Sequence, residues 1–498
     1  MSQLTMPPHR PTGANGGGRR IYDLLRAQLA EGALAPGARL PATRVLAAEL
    51  GVSRTTVTAA YEQLAAEGYV TTAVGRAARV AAPLSAQAPA RARPARPAEP
   101  IALSDWGHRL TAMQLPAARA TEPAPIDFRY GAVASRDFPT LAWRRTYQAE
   151  LLRQQHSLYY ALPEGEPALR SALQGYLRRA RGLACDAGQI VVVQGAQQAL
   201  DLCARLLLNA GDAFVFEDPG YLMGRRSFEA TGARLLATPV DAHGLDTACL
   251  PQDDRARLAY VTPSHQFPLG GVLPVARRQE LLRWARQHDA WIIEDDYDGE
   301  FRYGQRPIDA LQAMDADGRV IYVGTFSKAL SPQLRLGYLV LPTALVPVFR
   351  TAKRLADRHA PVLDQRVLAS LIASGAYERH VRRVRREHER RRAALQAAVA
   401  AHLPADARIT GTAAGLHAVL WLPSLRPADE AALAAAARRA GVGIYPMSPL
   451  FARPESAMLP RPAGFTLGYA SVSVDQIEQG VRLLGDVLAD PGWRAPPA

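Results

Sequence analysis

The sequence predicts an α/β protein in two unequal parts, a short, mainly helical N-terminal unit and a much longer domain built on a mostly parallel sheet. Three observations lead there. At 498 residues the chain is too long for one ordinary core. A stretch rich in Ala, Pro and Arg follows residue 80 and reads as a semi-extended linker. From about residue 125, short apolar runs alternate with amphipathic helical patterns, as in a parallel sheet covered on both faces. The boundaries expected are 1–18 for a disordered Gly- and Pro-rich leader, 19–80 for the N-terminal unit, 81–124 for the linker and 125–498 for the large domain.

Composition narrows the function classes. Hydrophobic residues at 48% and charged residues at 21% exclude a largely disordered or fibrous chain. Met1 to Pro11 lacks the apolar core of a secretory signal, and no run approaches the roughly 18 apolar residues of a membrane span, so a cytoplasmic protein is expected. Cys185, Cys203 and Cys249 are odd in number and widely spaced; they predict buried, inert thiols and neither a disulfide framework nor a metal site. The net charge of +13 favours a polyanionic partner. Of 59 basic residues only Lys328 and Lys353 are lysines, so wherever a bare positive charge suffices the chain uses arginine.

In the N-terminal unit, Ile21, Leu24, Leu25 and Leu29 mark one face of a first helix that ends before Pro36-Gly37. Thr43 is expected to cap a short second helix with Val45, Leu46 and Leu50 inward, and Gly51 to close it. Ser53 caps a third helix whose Val57, Tyr61 and Leu64 share a face, completing a helix-turn-helix pattern. The head of that helix, with Ser53, Arg54, Thr55 and Thr56, offers a guanidinium and hydroxyls to base edges and phosphates. Tyr69 to Val80, with Gly75 and Arg76 at a turn, reads as a wing. The segment from Ile21 to Val70 resembles the GntR-type winged-helix domain over its full length. That resemblance implies that Arg44, Arg54, Thr55, Thr56, Gly75 and Arg76 face double-stranded DNA.

In the large domain, strands are expected at Ile190 to Val193, Ala213 to Phe216, Leu258 to Thr262, Trp291 to Glu294 and Val320 to Gly324, with a helix over Ala276 to His288. The sequence GTFSKALSPQLRLG follows the last of these strands. A Schiff base with an aldehyde cofactor needs a primary amine, which arginine cannot provide, so Lys328 is the candidate catalytic residue in a chain nearly free of lysine. Gln194-Gly195-Ala196-Gln197 joins a buried strand to a helix, where backbone N–H groups and the positive helix end can hold a phosphate. Arg335 could add a bidentate guanidinium to the same phosphate. Glu294-Asp295-Asp296-Tyr297 delivers carboxylates to the C-terminal sheet edge, where one could keep a pyridine nitrogen protonated while Tyr297 meets the ring hydroxyl. Alternation in a short strand leaves Asp295 and Asp296 both open.

The region from 125 to 490 resembles the fold-type I aminotransferases, a large mostly parallel sheet domain with a smaller α/β domain. The joined architecture resembles the MocR/GabR-type regulators, through FRYGAVASRDFP, ALPEGEPALRSAL, EDPGY, TPSHQFPLGG, EDDYDGEF and GTFSKALSPQLRLGY. The resemblance implies pyridoxal 5'-phosphate as cofactor, carried by Lys328, with Asp295 at the pyridine nitrogen, Tyr297 at the ring hydroxyl and Tyr221 on the ring face. It further implies Arg335 and Thr325 at the phosphate, Tyr160 reaching the phosphate of a neighbouring subunit, and a head-to-tail homodimer with each winged unit over the partner's large domain. The function implied is transcription regulation, in which a small amine or amino-acid-like effector, or pyridoxal phosphate itself, changes how two winged units meet an operator. A working aminotransferase with an accessory DNA-binding unit is the rival reading.

Two departures from the family pattern bear on the ligand. The Asn of the aminotransferase N-P-x-G motif is replaced within His265-Gln266-Phe267-Pro268. Near the C-terminus, Thr466 stands in Phe465-Thr466-Leu467-Gly468-Tyr469 where relatives carry the arginine that binds an amino acid's carboxylate; Arg461 lies nearby at a different offset. Little or no transaminase turnover is therefore expected, with an effector lacking a conventional α-carboxylate. The arginine-dense run from Arg379 to Arg392 is expected to be a solvated helix face.

Overall fold

The computed structural model describes residues 17–30, 33–73, 76–81, 102–113, 115, 123–154, 158–252, 255–304, 308–452 and 461–494. Residues 1–16 of the expected leader, most of the expected linker and Gly75 lie outside the described residues. The chain divides into two compact units, Met1–Ala102 and Leu103–Ala498.

The first unit holds helices Gly17–Ala30 (α1), Thr43–Leu50 (α2) and Arg54–Ala66 (α3), then the antiparallel strands Val70–Thr71 (β1) and Arg79–Val80 (β2) with Val70 opposite Val80. Ile21, Tyr22 and Leu25 from α1 close on Leu46, Val57, Tyr61 and Leu64 as one core. Gly51 ends α2 at φ 63, the left-handed conformation that glycine adopts freely. Two local expectations fail. Thr43 is the first residue of α2, and Ala42 precedes it with no side-chain cap, because the chain enters from Pro41 with Thr43 already helical. Val45 is 50% exposed: one turn of α2 reaches the core through Leu46 and Ala47 instead.

The second unit is built on an eight-stranded sheet. Its elements in chain order begin with helix Asp105–Ala112 (α4), strand Ile126–Asp127 (β3), helices Thr140–Leu152 (α5) and Pro167–Arg181 (α6), strand Ile190–Val193 (β4), helix Ala196–Leu207 (α7) and strand Ala213–Asp218 (β5). Helix Leu222–Glu229 (α8) and strands Arg234–Asp241 (β6), Gly244–Leu245 (β7) and Ala256–Val261 (β8) come next. After them stand helix Val275–Gln287 (α9) and strands Trp291–Asp296 (β9), Val320–Thr325 (β10) and Gly337–Val340 (β11). Strand order is β4-β11-β10-β9-β8-β5-β6-β7. The strands β10, β9, β8, β5 and β6 are parallel to their neighbours in that run, whereas β11 runs antiparallel to both β10 and β4.

The continuous apolar run of β4 has a simple cause. Ile190 and Val192 join a cluster with Leu169 and Leu173 of α6, while Val191 and Val193 join Leu200 and Cys203 of α7. Both faces are covered, so alternation with polar residues is absent. Helices Val346–Asp357 (α10), Val362–Ala373 (α11) and Ala376–His402 (α12) lead out of the sheet. A smaller four-stranded antiparallel sheet then forms from Arg408–Thr410 (β12), His417–Leu422 (β13), Tyr445–Pro446 (β15) and Ala463–Gly468 (β16), in the order β12-β13-β16-β15. Helices Glu430–Arg439 (α13) and Val474–Ala489 (α14) share its core, and Val442–Gly443 (β14) pairs with β3, which ties the start of this unit to its end.

Two further readings of the sequence change, and the second lysine finds a structural place. Cys249 is exposed, with its Sγ 3.4 Å from Asp246 Oδ2, while Cys203 is buried and Cys185 half-buried. The arginine run on α12 is not all solvated: Arg391 is fully buried, donating to Asp137 Oδ2 at 2.7 Å and to the Ala470 carbonyl at 2.5 Å. Lys353 is fully buried and pairs with Asp357 at 2.5 Å, so the second lysine is a structural ion pair. Among the described residues, no helix is long and apolar enough to cross a membrane, and no His, Cys, Asp and Glu cluster is arranged to hold a metal.

Candidate functional site

In the winged unit, the head of α3 is fixed by its cap. Ser53 is extended, and its Oγ accepts from the Thr56 amide at 3.2 Å while lying 2.7 Å from both the Thr55 and Thr56 hydroxyls. This hydroxyl cluster satisfies one of the free N–H groups of the first turn and holds that turn open to solvent. Arg54 comes directly after it and is exposed, as are Arg44 on α2 and Arg76.

In the large unit, a cavity of about 570 Å³ opens at the C-terminal ends of β9 and β10, beside the turn from β4 into α7. Lys328, Asp295, Tyr297, Tyr221, Arg335, Thr325, Ala196 and Gln197 all line it. Gly195 is the N-cap of α7, at φ 80, so the first turn of that helix forms one wall. A Cβ at Gly195 would stand 2.7 Å from the Arg335 guanidinium, so only glycine lets the arginine lie against this turn. Arg335 Nη2 donates to the Gln194 carbonyl at 2.8 Å, and Ser327 Oγ lies 3.0 Å from Thr325 Oγ1. The result is a collar of donors: a helix N-terminus, a guanidinium and two hydroxyls, suited to a dianion.

Lys328 Nζ donates to the Gly131 carbonyl at 3.1 Å. Burial lowers its pKa against the opposing pull of Asp298 and Asp295, which favours the neutral, nucleophilic amine. Asp295 and Asp296 part company by strand alternation. Asp296 is paired with Arg181 at 2.6 Å and accepts from the Tyr322 hydroxyl, facing away from the cavity. Asp295 faces the cavity: its Oδ2 accepts from Tyr260 at 2.8 Å, and its Oδ1 is buried with no hydrogen-bond partner. Burial pushes its carboxyl up to about 7. An N–H cation placed in the cavity would supply the missing partner, so the donor set fits a pyridoxal phosphate: amine, dianion collar, and a carboxylate for the ring nitrogen.

Tyr160 does not line this cavity; it is 60% exposed, with the Arg358 guanidinium 4.9 Å above its ring. The polar setting of Tyr297 comes from residues that sequence reasoning did not assign. Its hydroxyl lies 3.0 Å from His265 Nδ1, which is itself 2.9 Å from Asp298 Oδ2, so a histidine two residues before Phe267, which precedes the motif's proline, meets the tyrosine. Tyr260, His417, Ser327, Arg129 and Tyr130 also line the cavity. Gly131, at φ 83 beside Lys328, is the one sequence signal for the last two, since an arginine and an aromatic immediately precede it.

Residues 132–482 match the family described as aminotransferase class I and II. The chain belongs to that family. Residues 18–80 match the bacterial regulatory proteins of the gntR family, so this aminotransferase-family protein carries a regulator's DNA-binding unit ahead of it and is a transcription regulator of the MocR/GabR type. It is 37% identical over 469 residues to the probable rhizopine catabolism regulatory protein MocR of Rhizobium meliloti, covering 94% of this chain and 92% of that one. With the pyridoxine biosynthesis transcriptional regulator PdxR of Corynebacterium glutamicum it shares 34% identity over 420 residues, 84% of this chain and 85% of that one. Among solved structures, the kynurenine aminotransferase of Pyrococcus horikoshii, in complex with PMP, superposes with TM-score 0.68 at 27% identity, over 78% of this chain and 95% of that one. The aminotransferase fold is thus shared with enzymes that bind this class of cofactor.

Proposed function

We propose that this protein is a cytoplasmic, homodimeric regulator that holds pyridoxal 5'-phosphate on Lys328 and converts an event in that cavity into a change in operator binding by its winged unit. The observation that carries the reading is the unpartnered, buried Asp295 Oδ1 on the wall of the cavity that also holds Lys328 and the donor collar at α7. Tyr297 and Tyr221 would orient the ring, and Arg335, Thr325 and the turn at Gly195, Ala196 and Gln197 would hold the phosphate. When bound, the cofactor supplies an electrophilic carbon and an electron-withdrawing ring to any amine that enters.

The protein's own residues govern the chemistry open to such an amine. Lys328 offers a neutral amine, Asp295 would hold a proton at the ring nitrogen, and Phe267 and Tyr130, with ring centroids 5.5 Å apart, give the cavity an aromatic wall. Leu152, Leu158, Tyr159 and Tyr160 are between 60% and 90% exposed in the single chain, large apolar side chains that a partner subunit would cover. This supports the dimer and a place for Tyr160 at a neighbour's phosphate. In the winged unit, Ser53, Arg54, Thr55 and Thr56 at the head of α3, with Arg44 and the wing residues Gly75 and Arg76, would meet the duplex.

The test uses the full-length protein loaded with pyridoxal phosphate and fluorescent duplexes from the DNA flanking its own gene. Tight, salt-sensitive binding that shifts when the cofactor is removed, with negligible turnover of a panel of amino donors, is the expected result. DNA binding indifferent to the cofactor, together with rapid transamination, would establish the rival enzyme reading.

A further inference from the structure

The cavity contains a cation that the cofactor does not use. Two arginines line it, Arg335 at the collar and Arg129. With a phosphate against Arg335 and a ring nitrogen against Asp295, Arg129 remains, paired on one side with Asp127 and with its Nη1 left to meet whatever else enters.

How Arg129 gets there is informative. Thr466, at the sequence position where relatives place a carboxylate-binding arginine, is fully buried in β16 and does not line the cavity; its hydroxyl donates to Met447 Sδ at 3.3 Å. Arg461 is held elsewhere, donating to Glu430 Oε1 at 2.6 Å and to Ser448 Oγ at 2.7 Å. Just beyond Thr466, the Gly468 amide donates to the Phe128 carbonyl at 2.8 Å, and a Cβ at Gly468 would meet the Arg129 carbonyl at 2.5 Å. The segment after β3 therefore runs against the end of β16. The cross-strand partner of Thr466 is Tyr445, and Arg129 Nε donates to the Tyr445 hydroxyl at 2.9 Å. Tyr445 in turn donates to Asp127 Oδ1 at 2.6 Å, and Arg129 Nη2 stands 3.5 Å from Asp127 Oδ2. The guanidinium is braced on its Nε and Nη2 sides, and Nη1 has no hydrogen-bond partner among the described residues.

We propose that Arg129 is the anion-binding, specificity-determining residue of this cavity, and that the effector is a small amine that also carries a carboxylate. The arginine missing from β16 is supplied by a different chain segment that passes the same strand end. The inference rests on the cavity being a pyridoxal phosphate site and names the class of ligand that site selects. A braced guanidinium loses little side-chain freedom on taking a carboxylate, and a charge-assisted hydrogen bond is about twice as strong as a neutral one.

The experiment compares matched probes on the full-length, cofactor-loaded protein by isothermal calorimetry and by its visible spectrum. L-alanine and β-alanine are each set against propylamine, and 5-aminopentanoate against pentylamine. At least one carboxylate is expected to bind about tenfold or more tightly than its plain amine, the worth of one charge-assisted contact. Arg129→Gln should abolish that preference and leave the cofactor band in place, and Arg129→Lys should restore part of it. Equal binding of carboxylates and plain amines, or a preference that survives Arg129→Gln, overturns the proposal. If the protein shows no cofactor band at all, the cofactor reading fails by itself, and calorimetry on the same variants still decides the role of Arg129.

Discussion

Tyr260 on β8 donates a 2.8 Å hydrogen bond to Asp295 on the neighbouring strand β9, and so fixes one carboxylate oxygen while the other faces the cavity unpaired. The pair is buried, and Asp295 stays protonated up to about pH 7 in the bare protein. In the unfolded chain the same group ionises near its ordinary value, so between about pH 4 and pH 7 the folded state binds more protons. Its contribution to stability is therefore present at acid pH and is lost as pH rises through 7. In the protein stripped of cofactor, Asp295→Asn should raise the thermal midpoint at pH 8, by up to roughly 4 kcal/mol in stability terms, and by clearly less, roughly a third of that, at pH 5. The same substitution should weaken pyridoxal phosphate binding. Calorimetric melts at the two pH values check the first claim, and a cofactor titration the second.

Arg54→Ala should weaken binding to the operator by about 1–3 kcal/mol and relax sequence preference, without altering the cofactor spectrum. Fluorescence anisotropy at several salt concentrations measures it. An affinity insensitive both to the substitution and to salt would remove the head of α3 from the interface.

Ser53→Ala removes the one side-chain cap of α3 together with its contacts to Thr55 and Thr56. The expected cost to the winged unit is about 1 kcal/mol. Hydrogen exchange of the amides of the first turn should accelerate. DNA binding should fall further than that stability loss explains, because two hydroxyls lose their orientation.

Much of this arrangement is legible in the chain. The near absence of lysine singles out Lys328 on chemical grounds, and the apolar runs at β4, β8, β9 and β10 reveal the parallel part of the sheet, since strands buried on both faces leave a continuous signature. The orientation of β11, antiparallel between β4 and β10, leaves no such mark, because residue pattern reports burial and not direction. Alternation cannot separate Asp295 from Asp296 in the absence of a known facing side; Arg181, far away in sequence, shows which carboxylate is paired. Thr466 is silent on any substitute clamp for a related reason. A position in a motif says which residue a strand lacks, whereas Arg129, which we propose for that role, lies in a segment more than three hundred residues earlier. The burial of Arg391 likewise depends on Asp137, which no helical pattern reveals.

Leu158→Asp combined with Tyr159→Asp should convert a dimer to monomer in analytical ultracentrifugation, since both are large apolar side chains more than 80% exposed in the single chain. Cofactor affinity should fall in parallel, through loss of Tyr160 from the neighbouring site. A double variant that sediments as the unmodified protein does would place the interface elsewhere.

The central claim, that the cavity at Lys328 holds a covalently attached pyridoxal phosphate, is tested most directly by borohydride reduction and then peptide mass spectrometry. The chain contains two lysines, so the outcome is unambiguous. A pyridoxyl group is expected on Lys328 and none on the buried Lys353, with loss of both the label and the visible band in Lys328→Ala. A label on Lys353, or an unchanged band in Lys328→Ala, would contradict the claim.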